Sequence, residues 1–367
     1  MEGLDPIRDA VVVGGGPAGL AFALAAARRG HTVTVFERRT LPVDKACGEG
    51  VLPGGVKALR ELGVQLDPVD AAPIRELRWV DGDGTVARLA LPAPGGLGVR
   101  RLALSAALAE QARRAGVEVV DDEPVVSHRR EPDRVIVETR TREVAGRLLV
   151  AADGLGSPTR RRAGLDRPLP GTPQRFGLRR HFVLPPWAEA VEVHLGDGVE
   201  AYVTPAGARR VGVAFLFEPA RTGVVSFDTL LARFPALEAA LAGAPLDSAS
   251  RGAGPLARAA TARTADRLVL LGDAAGYLDA ATGEGISLAL GCALDLAAML
   301  PGVLAAGATR EALRGYEAAW RRRFVPYWAY TRAMLGLLRR PALRRRVLGL
   351  AASAPAPFER LVAAAVG

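Results

Sequence analysis

Residues 10–19 read Ala10-Val11-Val12-Val13-Gly14-Gly15-Gly16-Pro17-Ala18-Gly19, and an Ala/Leu-rich run follows to about Arg29. Four apolar residues broken by glycines predict a short buried strand. The run behind them, ended by Gly30, predicts a helix. Thr32–Phe36 supplies the next strand, so the segment is a βαβ unit. In Gly14-x-Gly16-x-x-Gly19 the glycines permit a tight turn and close approach of the backbone to a ligand. The helix N-terminus behind them, opened by Pro17 and Ala18, faces a pyrophosphate. Glu37, with Arg38 beside it, stands 18 residues past Gly19 at the end of the second strand. A carboxylate there accepts both hydroxyls of a ribose. The expectation is a dinucleotide site, open to FAD and NAD alike.

Working outward, the pattern returns. Leu102–Ala115 reads as a helix closed by Gly116, and Val117–Val120 as a strand. Leu148–Ala151 is an apolar strand running into Asp153-Gly154. Leu268–Leu271 is another, running into Gly272-Asp273-Ala274-Ala275-Gly276, after which Thr282-Gly283-Glu284-Gly285-Ile286 opens a helix to Leu300. Both aspartates end apolar strands, where α/β sheets place ligand contacts. Between these pieces Arg175–Val183, Ala190–His194, Glu200–Val203 and Arg210–Phe217 read as strands, and Asp81-Gly82-Asp83-Gly84 as the turn of a hairpin. The expected fold is α/β (α+β). A Rossmann-like dinucleotide-binding domain is drawn from 1–75, 100–165 and 260–320. An antiparallel-sheet substrate domain is inserted from 76–99 and 166–259, and 321–367 forms a basic helical segment.

Composition agrees with a packed globular protein: 49% hydrophobic and 24% charged residues exclude a disordered or collagenous chain. Cys47 and Cys292 are the two cysteines, too few for a disulfide framework and suited to the cytoplasm. Ala10–Ala27 is interrupted by glycines and a proline, and Ile286–Ala308 by Asp295 and Pro301, so neither a transmembrane segment nor a signal peptide is expected. His31, His128, His181 and His194 lack ligand spacing, and no metal site is expected. Aromatic residues are 5% of the chain and no nucleic-acid-binding motif stands out, so no nucleic-acid partner is expected.

The three motifs, in this order and spacing, resemble the FAD-binding signatures of single-component flavoprotein monooxygenases and of geranylgeranyl reductases. The resemblance implies FAD, with Gly14, Gly16, Gly19 and Glu37 on its ADP half and Arg101 on its linker. It puts Asp153 and Gly154 near the pyrophosphate, Asp273 on the ribityl chain, and Gly283, Gly285 and Ile286 against the ring. With one dinucleotide fingerprint in the chain, NADPH or NADH is expected as a transient reductant. Lys45-Ala46-Cys47-Gly48-Glu49 resembles the Lys-Pro-Cys-Gly segment of prenyl reductases, which makes Cys47 a candidate redox or acid group and Glu49 a candidate proton relay. Glu200-Ala201-Tyr202-Val203-Thr204-Pro205 stands where those reductases carry Tyr-x-Trp-x-Phe-Pro, and Asp279-Ala280 stands where they carry Asn-Pro. Tyr202 thus becomes a candidate substrate-facing residue. The Trp-x-Trp motif of flavin halogenases is missing, so halogenation is not expected. The whole combination looks most like bacterial oxidoreductases associated with type III polyketide synthases. That resemblance favours NAD(P)H-dependent hydroxylation of a hydrophobic phenolic substrate, with saturation of isoprenoid C=C bonds as the alternative.

The net charge of +9 is local. From Pro301 onward twelve arginines face only Glu311, Glu317 and Glu359, while the first 300 residues balance at 36 charges of each sign. Phe324, Tyr327, Trp328, Thr331, Leu335 and Leu338 fall on one helical stripe, expected to start near Pro326 and end before Pro341. Arginines at 321–323, 332, 339, 340 and 344–346 surround it. Two readings stay open: a helix resting on the inner face of a membrane, or a stripe packed on the core.

Overall fold

The computed structural model describes residues 6–169 and 173–353; residues 1–5, 170–172 and 354–367, which include both ends of the expected outer segments, lie outside the described residues. Its first sheet has a parallel core. In order across the sheet run Leu268–Leu270, Glu143–Ala151, Arg8–Val13, Val33–Phe36 and Glu118–Val120. Register aligns their C-terminal ends: Val13 pairs with Ala151 and Phe36, Ala151 with Leu270, and Phe36 with Val120. The residues that follow these ends therefore share one edge. The strand interiors are almost wholly apolar because helices cover the sheet. The fingerprint helix Pro17–Ala27 is buried from Ala18 to Ala26 and packs on the helix Gly285–Ala305.

A second, seven-stranded sheet runs Arg251–Ala253, Phe176–Val183, Arg210–Phe217, Val199–Pro205, Ala190–Leu195, Glu76–Asp81 and Val86–Ala90. It is antiparallel except where Ala190–Leu195 meets Glu76–Asp81. Side chains alternate between its faces. Val199, Val203, Phe215 and Phe217 pack under two short helices, Phe227–Leu231 and Pro235–Ala240. Trp79, Val193, Tyr202 and Leu216 pack instead with Ala281, Leu338 and Leu348. This second face closes over the first sheet's ligand edge. Features that the sequence did not announce include the helix Pro53–Glu61, the two short helices between Phe227 and Ala240, the strands Ser127–Arg130 and Val135–Glu138, and a small sheet of Gly50–Val51, Ala71–Ile74 and Gly96–Val99.

Two helix boundaries differ from expectation. The helix opened by Gly285 runs through Pro301 to Ala305, and the helix expected to begin near Pro326 runs from Arg314 to Leu338 with Pro326 inside it. A proline removes one backbone hydrogen bond from a helix. Burial of Leu300, Val303 and Leu304 in one, and of Tyr316, Trp320 and Tyr327 in the other, outweighs that loss. Among the described residues, Gly285–Ala305 alone is long and apolar enough to cross a membrane, and half of its most apolar stretch is buried inside the protein. A third helix, Pro341–Ser353, lies against the second sheet.

Candidate functional site

At the shared edge the glycines divide by what surrounds them. Gly14 takes φ +110°, and a Cβ there would lie 2.4 Å from the Ala152 carbonyl oxygen; at Gly19 it would lie 2.1 Å from the Gly14 carbonyl oxygen. These two hold the turn against the neighbouring strand. Gly16 is different: a Cβ there would meet nothing closer than a terminal nitrogen of Arg101 at 3.9 Å. The space beside Gly16 is open, lies at a helix N-terminus, and is flanked by a guanidinium. Arg101 is itself buried, and its Nε has no hydrogen-bond partner. An open cradle with an orphaned cationic donor fits a pyrophosphate.

Glu37 is buried at the end of Val33–Phe36, with Oε2 accepting the Gly15 N–H at 2.8 Å and Oε1 accepting the Arg39 N–H at 3.1 Å. Each oxygen keeps a further lone pair for a ribose hydroxyl. Arg38 is exposed beside it. Asp153 accepts from the Ser157 hydroxyl and, at 2.9 Å, from the Thr159 N–H, so it ties down the short helix Pro158–Arg162. Gly154 takes φ +81°, and a Cβ there would lie 3.3 Å from the Lys45 Nζ. That ammonium is 3.5 Å from an Asp273 oxygen. Lys45 thereby links the Asp-Gly and Gly-Asp turns, a role its neighbours in the sequence did not disclose.

Across the edge, Gly283 has φ +70° with open space where its Cβ would stand, and Gly285 begins its helix with Ile286 half-buried behind it. Between them Glu284 is buried with Oε1 unpartnered, and burial pushes its carboxyl up to about 7. The Ser287 hydroxyl, one turn on, is also buried without a partner. In the sequence Glu284 is one residue of a glycine-rich turn, and only the fold reveals its burial with an oxygen unpartnered.

The segment 44–49 carries the two remaining catalytic candidates. Cys47 Sγ accepts the Glu49 N–H at 3.3 Å, and burial raises the thiol's pKa against the opposing charge of Arg101, so it keeps its proton at neutral pH. Glu49, the candidate proton relay, is built into a buried network. It sits at φ +61°, nearly fully buried, with Oε1 accepting the Arg101 N–H at 2.8 Å and Oε2 2.5 Å from His181 Nε2. Both oxygens are engaged in structure. His181 also touches Arg100 and Arg179, and Arg179 binds Asp44 and the Lys45 carbonyl. Burial lowers the His181 pKa, an effect only partly offset by Glu49. Arg179 and His181 sit two apart on a strand, on one face. Three ionisable residues in a row, Arg179-Arg180-His181, inside a strand flanked by apolar residues were the signal available beforehand.

Tyr202 is buried, and its hydroxyl donates to the Ala281 carbonyl at 3.0 Å, fixing the second sheet to the loop before Gly283. On the same face Glu200 binds Arg175, which lies 3.5 Å from Asp279. This buried cluster has two carboxylates and one guanidinium. Burial raises the pKa of both Glu200 and Asp279, against the opposing pull of Arg175. Among the described residues no three His, Cys, Asp or Glu side chains converge as metal ligands would.

A family model described as an FAD binding domain matches residues 8–326. The chain is 30% identical over 307 residues to a menaquinone reductase of Mycobacterium tuberculosis, covering 78% of this chain and 75% of that protein. It is also 30% identical over 332 residues to a digeranylgeranylglycerophospholipid reductase of Methanoculleus marisnigri, covering 85% and 81%. Among solved structures, a p-nitrophenol 4-monooxygenase from Pseudomonas putida superposes with a TM-score of 0.78 at 23% identity, covering 95% of this chain and 94% of that one. A geranylgeranyl bacteriochlorophyll reductase-like protein from Thermoplasma acidophilum gives 0.79 at 21%, covering 95% and 92%. At those identities the two structures bear on the fold.

Proposed function

The chain belongs to the FAD binding domain family and is an FAD-dependent oxidoreductase, and from that premise we propose that it saturates carbon–carbon double bonds of an isoprenoid lipid, with NADPH or NADH as reductant. Gly14, Gly16 and Gly19 with the first turn at Pro17 and Ala18 would hold the pyrophosphate, Arg101 would neutralise it, and Glu37 would take the ribose. FAD held there would supply hydride chemistry once reduced, and the Cys47 thiol would be the chain's own candidate to give the proton that the second alkene carbon needs. The observation that carries the reading is the placement of Cys47: its Sγ accepts the Glu49 N–H at 3.3 Å, in a loop whose Lys45 reaches Asp273 at the strand ends, and burial raises its pKa, in keeping with a thiol that holds a proton to give. Tyr202 ties the second sheet to the loop before Gly283 through the Ala281 carbonyl, a contact that would help shield the reacting atoms from water. The two 30%-identical relatives, both reductases by name, support the same direction.

A second reading, hydroxylation of a hydrophobic phenol, is favoured by the Arg175–Glu200–Asp279 cluster. There the chain departs from the reductases' aromatic and Asn-Pro motifs, and a charged cluster would suit a polar substrate group. Product analysis separates the two. With an isoprenoid quinone, the reductase reading expects two hydrogens gained in the prenyl tail, still present after the head group is reoxidised to the quinone and formed under nitrogen too, and Cys47→Ser lowers that turnover about a hundred-fold while flavin stays bound. A product that gains one oxygen, forms only in air and is indifferent to Cys47→Ser overturns it in favour of the phenol reading.

A further inference from the structure

The helix Arg314–Leu338 has two distinct faces. Tyr327, Thr331 and Leu338 point inward and are buried, so most of the aromatic stripe is core. The opposite face is solvent-exposed and holds Arg321, Arg322, Val325, Trp328 and Arg332, at offsets of 1, 4, 7 and 11 from the first, and Arg340 is exposed just past the helix's C-terminal end. Val325 is 57% exposed and Trp328 42% exposed, with the Arg332 guanidinium 4.9 Å above the indole. We propose that this outward face docks on an anionic lipid bilayer.

The excess positive charge is not evenly available. Arg323 is paired with Asp295, Arg339 with Glu218 and the buried Arg344 with Asp81, so these three are committed to structure. Among the described residues Arg322, Arg332 and Arg340 have no acidic partner within ion-pair distance. Unneutralised arginines bracket an exposed indole and an exposed valine. Cations suit lipid phosphates, and an indole suits the boundary between head groups and acyl chains. A nucleic acid would engage the arginines but gain little from Val325. On the following helix, Leu343 is 43% exposed and Leu350 68% exposed, adding apolar area outside the core. This inference concerns binding alone and stands whichever reaction the site performs.

The test is co-sedimentation of the full chain at low salt with vesicles of phosphatidylcholine, or of phosphatidylcholine mixed with phosphatidylglycerol. The parent should bind the mixed vesicles and not the neutral ones. A variant with Arg322, Arg332 and Arg340 changed to Gln should lose about five-fold per arginine, about a hundred-fold in all. A second variant, Val325→Ser with Trp328→Ser, should lose about ten-fold or more through the apolar contact. Matched thermal melts and retained flavin would show that both variants fold. No binding by the parent, or undiminished binding by either variant, overturns the proposal. So does binding that RNA abolishes while the Ser variant is unaffected, which would mark a polyanion site. A concentration-dependent dimer that both variants abolish would assign the face to a second copy and likewise overturn it.

Discussion

Single residues at the ligand edge separate binding from folding. A Cβ at Gly16 enters open space, whereas one at Gly19 strikes the Gly14 carbonyl. Gly16→Val should therefore fold and melt near the FAD-free parent yet retain no FAD, as absorbance of the purified protein would show. Gly19→Val should instead fail to fold, read by circular dichroism. Glu284 makes a second residue-level prediction. Its carboxyl is raised from the usual 4.5 to about 7 by burial, so folding opposes its ionisation. The stability associated with this group is full below about pH 4.5 and falls as pH rises to about 7, by roughly 3 kcal/mol. Glu284→Gln should flatten denaturant midpoints across that window; an unchanged slope would mean that the carboxyl is neutralised. The glycines and Glu37 were legible in advance because their spacing fixes geometry locally. Glu49 was legible as unusual but not as structural: its partners His181 and Arg101 are 132 and 52 residues away.

Helices show what periodicity can and cannot say. The apolar spacing from Phe324 to Leu338 was visible, but a stripe does not declare whether protein or solvent lies opposite it. Nor did Pro326 mark a start, because packing of the turns before it compensates for one missing hydrogen bond. Pro326 is exposed at an interior position. Pro326→Ala restores that bond and should stabilise the protein by roughly 1–3 kcal/mol, seen as a higher melting temperature. Arg344 makes the opposite case. It is buried against Asp81, with Nη2 2.7 Å from Oδ1, and latches the last helix to the second sheet. Arg344→Gln strands a buried carboxylate and should cost about 3–5 kcal/mol in urea unfolding.

At the scale of the whole molecule, segment 44–49 joins the second sheet's Arg179 and His181 to Arg100 at the start of the helix Arg101–Arg114. Glu49→Ala leaves the buried Arg101 N–H and His181 without their acceptor. It should lower stability by about 3–5 kcal/mol and loosen flavin retention through Arg101, measurable as a faster release rate. Beyond the Arg179–His181 pair on one strand, this junction was illegible in the sequence because its other pairs are long-range, unlike the strand-and-turn pieces of the first sheet. The alignment of Val13, Phe36, Val120, Ala151 and Leu270 bears on how such a chain can tolerate length changes. One residue inserted within Glu143–Ala151 would advance Asp153 by about 3.3 Å relative to Gly14 and turn each succeeding side chain to the wrong face of the sheet. The same insertion in the turn at Gly82, where a Cβ would meet nothing within 4 Å, would leave that alignment untouched. Deletions and insertions accumulating among descendants of this chain should thus be sparse in five short strands and free at the far rim of the second sheet.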